Sequence, residues 1–79
     1  MRFRVEHVQW GQPACVVARQ LDEGDFHVAA GSRLGGVELL PIASQARAGR
    51  IYAFWLKTEA DWRRFEVGQE VELRPSAAK

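Results

Sequence analysis

Residues 50–57, Arg-Ile-Tyr-Ala-Phe-Trp-Leu-Lys, are the stretch of the sequence that decides the fold. Between its two charged ends, β-branched and aromatic side chains dominate, which is typical of a β-strand. Apolar residues fall on both faces of this strand, so both faces must be covered, either by the same chain or by a second copy of it. The stretch therefore predicts a mainly β protein built around this strand.

Five further strands are predicted on either side of it. They cover residues 2–10, 14–21, 26–30, 37–42 and 69–74. In the first of them the apolar positions shift phase after His7, which predicts a β-bulge because one extra residue re-aims every later side chain. Pro41 has no N–H for a ladder and is expected at the end of its strand or on an edge. Strands spaced by about eight to twelve residues predict a small six-stranded antiparallel β-barrel, with an open sandwich as the alternative.

The predicted connections follow from residues that favour turns. Asp22-Glu23-Gly24-Asp25 combines acidic side chains with a glycine, and it is expected to join strands 14–21 and 26–30 in a hairpin. Residues 31–36, Gly-Ser-Arg-Leu-Gly-Gly, form the next predicted loop. Residues 43–49 are small or polar, so we expect an exposed connection there.

One short helical turn is predicted near residues 59–65. Thr58-Glu59-Ala60-Asp61 resembles a capping box in which Asp replaces the usual Glu, and such a box opens a helix. Trp62 and Phe65 lie three residues apart, which predicts that both side chains share the inner face of that helix.

The length and composition indicate one globular domain. The chain has 79 residues, of which 47% are hydrophobic, and its formal net charge is +1. We assign the domain to residues 1–75 and a disordered tail to residues 76–79. The charge balance gives no long-range field that would recruit nucleic acid or a membrane surface, and no apolar segment approaches the roughly 20 residues that span a bilayer. The lone Cys15 excludes an internal disulfide, so we expect a soluble cytoplasmic protein.

The order of these features resembles the small β-barrel that forms the second domain of elongation factor Tu and its relatives. The corresponding stretches are residues 3–8, 11–18, 23–25, 31–40 and 67–71, which together cover most of the chain. The resemblance implies a small β-barrel architecture and carries no function with it. Two departures stand out: Pro13 and Ala14 replace the second glycine expected after Gly11, and Gln69 follows Gly68 in place of Asp. The predicted helical turn has no counterpart in that barrel.

A catalytic pair is the first chemistry to consider. Cys15 with His7 or His27 offers a nucleophile and a base. However, Cys15 lies in an apolar strand, where a thiol behaves as a small buried hydrophobic residue. No third residue that would orient the base is identifiable. The sequence therefore predicts a protein that is not an enzyme.

Metal and cofactor sites are not predicted either. Two histidines without carboxylates or further cysteines at ligand spacing fall short of a zinc site, and Asp22, Glu23 and Asp25 lack the alternation of a calcium loop. Residues 31–36 are rich in glycine, but a strand follows them, whereas a phosphate loop needs a helix N-terminus at that place. We expect no metal and no small-molecule cofactor.

The most distinctive surface prediction is a set of arginines close to the aromatic part of the chain. The candidate binding residues are Arg47, Arg50, Tyr52, Trp62, Arg63 and Arg64. Arginine beside exposed rings can hold single-stranded nucleic acid, because charge meets the backbone and rings stack on bases. The same residue types anchor protein interfaces. In the alternative interpretation, the aromatic residues form the core and the arginines pair with Glu59, Asp61 and Glu66 in solvent.

Together these patterns favour a non-enzymatic module that binds another protein or serves an accessory role. The partner would be another protein or a second copy of the chain, since the apolar strand at residues 50–57 needs cover on both faces. An RNA-binding barrel that uses the arginine and aromatic residues is the alternative function.

Overall fold

A computed structural model of the protein describes residues 1–75, and the predicted tail at residues 76–79 lies outside the described residues. The elements are β1 (Arg2–Gln9), β2 (Cys15–Gln20), β3 (Arg33–Leu34), β4 (Val37–Arg47), β5 (Ile51–Leu56), a 3₁₀ helix (Glu59–Arg64) and β6 (Glu70–Arg74). Neighbouring strands pair antiparallel and close into a barrel in the order β1-β2-β5-β4-β3-β6. The predicted six-stranded antiparallel barrel is confirmed, and its closed form decides against the sandwich.

β1 follows its alternating sequence and contains the predicted bulge. Phe3 and Val5 face the interior and are 0% and 1% exposed, because successive side chains of a strand point to opposite faces. The register with β2 shifts between Val5 and His7, so the bulge predicted near His7 is confirmed. The extra residue turns Val8, in place of His7, toward the interior, where it packs against the core.

β5 contributes apolar side chains to both of its faces, as its sequence predicts. On the inner face, Phe54 is fully buried and meets Phe3 edge to face, with ring centroids 5.1 Å apart. On the outer face, Ile51 and Ala53 are only 5% and 7% exposed. Trp55, also on this face, is half-buried. One chain therefore covers most of the outer face of β5 without a second copy.

A loop and a helix close the two ends of the barrel. Residues 21–32 connect β2 to β3 across one end, where the Phe26 ring meets Phe3 edge to face at 5.2 Å between centroids. The 3₁₀ helix connects β5 to β6 across the other end, where Phe65 is 7% exposed. The loop end of the core thus receives the Phe26 ring and the helix end the Phe65 ring, and burial of this apolar surface stabilises the closure.

The strand predicted at residues 26–30, and the hairpin it would form with residues 14–21, are wrong, because this segment is irregular. Its backbone is held locally instead of by a ladder. The Ala29 N–H donates to Ser32 Oγ at 3.1 Å, and the Ser32 N–H donates to the Ala29 carbonyl at 3.0 Å. The apolar alternation that suggested a strand comes from the need to bury Phe26 in the end of the barrel.

The third strand lies instead inside the predicted loop at residues 31–36. β3 is only two residues long, pairs with both β4 and β6, and buries Leu34 completely. The turn after it approaches β6 closely, because a Cβ at Gly35 would lie 3.1 Å from Val71 Cγ1. Gly35 also has a φ of +60°, a backbone conformation that glycine adopts without strain.

The predicted helical turn is confirmed in place and corrected in detail. It is a 3₁₀ helix that begins at Glu59, and the preceding Thr58 makes no side-chain capping hydrogen bond, so the capping box is wrong. The backbone alone closes the first turn, since the Asp61 N–H donates to the Thr58 carbonyl at 3.0 Å. Trp62 and Phe65 both pack against the core, as their three-residue spacing predicts.

β4 is the longest strand, with eleven residues, and it contains most of the segment predicted as an exposed connection. The predicted exposure is right for residues 44–49, but the predicted connection is wrong up to Arg47, because the turn itself is confined to residues 48–50. Small and polar side chains suit a solvated strand as well as a loop, since a strand face that touches water needs no apolar residues.

Candidate binding edge

β4 consists of two halves that differ in how their backbone is paired. In the first half, residues 37–38 pair with β3, and the Leu39 N–H donates to the Ser32 carbonyl at 2.9 Å. Beyond Leu39, β4 pairs with β5 alone. Within residues 1–75, the opposite side of this second half has neither a neighbouring strand nor a backbone hydrogen bond. We call this side, along residues 40–47, the free edge.

The hydrogen bonds of β5 show which of its backbone groups face β4. In an antiparallel pair, successive residues direct their N–H and C=O groups to opposite sides of the strand. The Leu56 N–H donates to the Ala14 carbonyl on the β2 side, at 2.9 Å. Ala53 lies three residues before Leu56. Because three is an odd number of steps, Ala53 directs its backbone groups to the opposite side, toward β4.

This alternation fixes the backbone directions in the second half of β4. Ala53 is paired with Ser44, so the Ser44 N–H and C=O belong to the ladder with β5. Its neighbours Ala43 and Gln45 direct their N–H and C=O groups to the free edge. Unpaired backbone groups in such a row are a template for another extended chain.

Two irregularities limit the length of the free edge. The register between β4 and β5 shifts between Leu39 and Ala43 and again between Gln45 and Arg47. Pro41 lies at the first shift, where its missing N–H costs no ladder bond, which confirms the edge position predicted for it. The regular stretch between the two shifts accepts only a short added segment.

A second unpaired strand side exists but is shorter. In β1, residues 7–9 pair with β2 alone, because pairing with β6 ends at Arg4. A backbone hydrogen bond from the Gly68 N–H to the Val5 carbonyl, at 2.7 Å, extends the contact with the β6 side by one residue. The unpaired side of β1 thus covers residues 6–9, against residues 40–47 for the free edge of β4.

A groove lies beside the free edge, on the inner side of β4 and β5. Its volume is about 440 Å³, and its walls are residues 24–28 of the loop, residues 41–45 of β4 and Tyr52. The Phe26 ring stands edge to face on Tyr52, with centroids 4.8 Å apart. This contact holds the loop over the inner face of the sheet, so that the loop and residues 41–45 of the free edge face each other across the groove.

The charges around the free edge are unevenly distributed. Residues 39–58 contain neither Asp nor Glu. Arg47 and Arg50, at the far end of the edge, are exposed and belong to none of the ion pairs in the described part of the chain. Asp25 and His27 lie on the loop wall of the groove and are also exposed. The end of the edge is therefore basic, whereas the groove wall opposite β4 carries a carboxylate.

The six residues predicted as a binding surface fall into two groups. The group around the β4–β5 turn comprises Arg47, Arg50 and Tyr52. The group in the 3₁₀ helix comprises Trp62, Arg63 and Arg64. β5, which contains Tyr52 near its start, leads from the first group to the second, and its six residues span roughly 17 Å. The first group borders the free edge, and the second lies at the other end of the barrel.

The aromatic residues near these arginines lie mainly in the core. Phe54 and Phe65 are 0% and 7% exposed, and Tyr52 and Trp62 are half-buried. The guanidinium carbon of Arg63 lies 5.8 Å from the centroid of the Trp62 ring, a cation–π contact. This part of the alternative interpretation, in which the aromatic residues build the core, is confirmed.

The expected ion pairs of the arginines are not formed. Within residues 1–75, neither Glu59, Asp61 nor Glu66 belongs to an ion pair. Glu59 instead accepts a hydrogen bond from Gln12 Nε2 at 3.2 Å. The arginines of both groups therefore keep their charges available to a ligand.

Cys15 has the surroundings of a structural thiol. It lies opposite Trp55 on the outer face of β2 and is half-buried. Burial raises the pKa of the Cys15 thiol above its ordinary value of 9.0, although a hydrogen bond with the Phe54 backbone partly offsets the shift. His7 faces Val17 across the same sheet. Among the described residues the Cys15 thiol has no hydrogen bond to a histidine, so a nucleophile–base pair is not assembled.

Residues 1–75 contain no group of three or more His, Cys, Asp or Glu side chains placed to hold a metal ion. The helix in this part of the chain lacks the length and apolar character that crossing a membrane requires. No family model, no curated protein and no solved structure matches the chain. The resemblance to the second domain of elongation factor Tu therefore stays a prediction.

Sequence reasoning missed the backbone of Ala43 and Gln45 and the groove behind them. The side chains of this segment are small or polar and do not indicate a binding site. The groups that would bind a partner are backbone N–H and C=O groups, which nearly every residue has. The useful signal was Pro41, whose predicted edge position marks the place where β4 loses its second neighbour.

Proposed function

We propose that the protein is a non-enzymatic protein-binding module that takes up an extended segment of a partner protein along the free edge of β4. The observation that carries this proposal is the row of unpaired backbone groups at Ala43 and Gln45. An extended segment satisfies such groups by adding a strand, a mode of recognition in which backbone hydrogen bonds give affinity and neighbouring pockets give specificity. The groove at Tyr52 lies where such a pocket is needed.

The chemistry of the rest of the chain supports a binding role over catalysis. Burial raises the pKa of the half-buried Cys15 thiol, and within residues 1–75 no histidine is hydrogen-bonded to it as a base. A module that recognises backbone and a few side chains needs no activated group. It needs a rigid frame, which the closed barrel supplies through Phe54 and the other core residues.

RNA binding has weaker support than protein binding. Stacking on bases needs exposed rings beside the arginines. The Tyr52 ring instead packs against Phe26, and the Arg63 guanidinium lies over the Trp62 ring. The net charge of +1 also gives little general attraction to phosphate. RNA binding would therefore depend on the arginine group in the 3₁₀ helix.

A site-resolved crosslinking experiment tests the proposed function. A photoreactive phenylalanine analogue is placed at Ile42 on the free edge or, as a matched control, at Val67; these side chains are 55% and 67% exposed. The full chain is expressed in its own cells and crosslinked peptides are identified by mass spectrometry. We expect position 42 to crosslink to an extended segment of one partner and position 67 not to do so.

Two substitutions at Gln45 complete this test. Gln45→Pro removes one N–H of the free edge, whereas Gln45→Ala removes only the side chain, so crosslinks should disappear in the first variant and persist in the second. Crosslinks that survive Gln45→Pro, or that are the same from both positions, would show that the free edge is not the binding surface. Salt-sensitive amide shifts at residues 62–64 on addition of RNA would establish the alternative function.

A further inference from the structure

We infer that the segment bound by the free edge carries an acidic side chain followed within two residues by a large apolar side chain. This inference rests on the proposed function and names the chemistry of its partner. Three features of the site carry it: the direction of β4, the arginines at the end of the edge, and the groove on the inner side.

The direction of β4 sets the order of the two side chains. β4 runs from Leu39 toward Arg47, and every strand pair of the barrel is antiparallel. A segment that continues this pattern enters beside Arg47 and leaves beside Pro41. A partner residue near Arg47 therefore precedes, in the partner's sequence, a residue near Gln45.

The acidic side chain is specified by the charges at the far end of the edge. Arg47 is paired with Ile51 and so points to the outer face, where Arg50 of the adjoining turn adds a second charge. Neither arginine has an ion-pair partner among the described residues. A carboxylate here gains charge-assisted hydrogen bonds. In the groove, the partner's carboxylate would be repelled by the carboxylate of Asp25. The favourable position for the partner's acidic side chain is therefore confined to the end of the edge at Arg47 and Arg50.

The apolar side chain is specified by the groove. Gln45 is paired with Tyr52, whose ring lies on the inner side of the sheet. A partner residue opposite Gln45 points to the same side, because cross-strand neighbours share a face. There it meets the half-buried Phe26 and Val28. A volume of about 440 Å³ has room for an aromatic or a large aliphatic side chain.

A second copy of the chain fits this site less well than a foreign segment. Two copies joined through their free edges would place β4 against β4. Residues 39–58 contain no Asp or Glu, so neither copy would bring a carboxylate of this stretch to the other's Arg47 and Arg50. Self-association through the edge is therefore an alternative outcome of the test and not the inference itself.

The experiment is a selection from a library of displayed, fully randomised ten-residue peptides against the full 79-residue chain. The same library is selected against Gln45→Pro and against the double variant Arg47→Glu, Arg50→Glu. We expect the wild-type pool to be enriched in Asp or Glu one or two residues before Phe, Trp, Leu or Met. The double variant should exchange the acidic preference for Lys or Arg and keep the apolar one. A synthetic wild-type-selected peptide should lose roughly fivefold or more in affinity for the double variant.

The outcomes separate this inference from the proposed function. Peptides that lose binding on Gln45→Pro but show no acidic preference would overturn the inference and leave the free edge as the binding surface. A selection in which no peptide is sensitive to Gln45→Pro would overturn both. A dimer seen by light scattering that is lost in Gln45→Pro and kept in Gln45→Ala would identify the occupant as a second copy and overturn the inference alone.

Discussion

The two halves of β4 belong to one strand but are fixed by different forces. In the first half, Val37 and Leu39 are 2% and 1% exposed and the backbone is paired on both sides. In the second half, most residues from Pro41 to Arg47 are exposed and the backbone is paired on one side. The core dictates the sequence of the first half, whereas one ladder suffices for the second. The second half can therefore carry a binding function without a large cost in stability.

Truncation of one apolar side chain in each half should give the largest contrast. Leu39→Ala leaves a cavity in a closely packed core and should lower the free energy of unfolding by about 2–5 kcal/mol. Ile42→Ala, at a residue that is 55% exposed, should change it by no more than about 0.5 kcal/mol. Urea unfolding followed by tryptophan fluorescence measures both. Similar losses from the two variants would contradict the division of β4 into two halves.

Proline at adjacent positions of the second half tests the assigned directions of the backbone groups. Ser44→Pro removes a donor from the ladder with β5 and leaves a carbonyl unpaired, so we expect a loss of about 2 kcal/mol. Gln45→Pro removes a donor that faces the free edge and should cost less than about 1 kcal/mol. Thermal unfolding of the two variants beside Ser44→Ala and Gln45→Ala isolates the backbone effect. The opposite ranking would mean that Gln45, and not Ser44, pairs with β5.

The turn that leads into the first half offers a finer test of how tightly that half is held. Gly35 and Gly36 have φ of +60° and +83°, so alanine strains the backbone at both by about 1 kcal/mol. Only at Gly35 would the new Cβ crowd Val71, at 3.1 Å, whereas at Gly36 no atom lies within 4 Å. Gly35→Ala should therefore cost about 1 kcal/mol more than Gly36→Ala. Equal losses in chemical denaturation would show that β6 yields to the added methyl group.

The smallest effect is expected outside β4, at Cys15. Burial raises the pKa of this thiol above 9.0, so fewer thiolates exist at a given pH and iodoacetamide should react more slowly with the folded than with the unfolded protein. The pH profile of the reaction should shift to higher pH on folding. Because the unfolded thiol ionises first, stability should be unaffected below pH 9.0 and fall above it. Fast alkylation of the folded protein at neutral pH would instead revive a catalytic role.

The barrel could be predicted from its sequence where burial dictates residue type. Phe3 and Val5 alternate with charged residues, and the phase shift after His7 revealed the bulge because Val8, and not His7, packs against the core. Residues 50–57 showed a central strand by their composition alone. At these positions, only one arrangement of the strands buries the apolar residues in the core.

The remainder could not be predicted where composition fits two structures equally. Phe26 and Val28 alternate as in a strand, yet this segment closes the end of the barrel, and only the three-dimensional position of Phe3 and Tyr52 decides between the two. The sequence of the second half of β4 predicts a loop because its side chains are small and polar. Its strand structure depends on the nearby β5, a long-range pairing that local propensity does not contain.

The arrangement of the chain ends has a practical consequence. The Leu73 N–H donates to the Met1 carbonyl at 2.8 Å, so the start of the chain and the end of β6 are neighbours. Joining residue 75 to residue 1 by a short linker and opening the chain at residues 48–50 would give a circular permutant, since exposed turns tolerate such cuts. A fluorescent reporter fused to the new terminus after Arg47 would sit at the end of the free edge, where its signal would report whether the proposed binding edge is occupied.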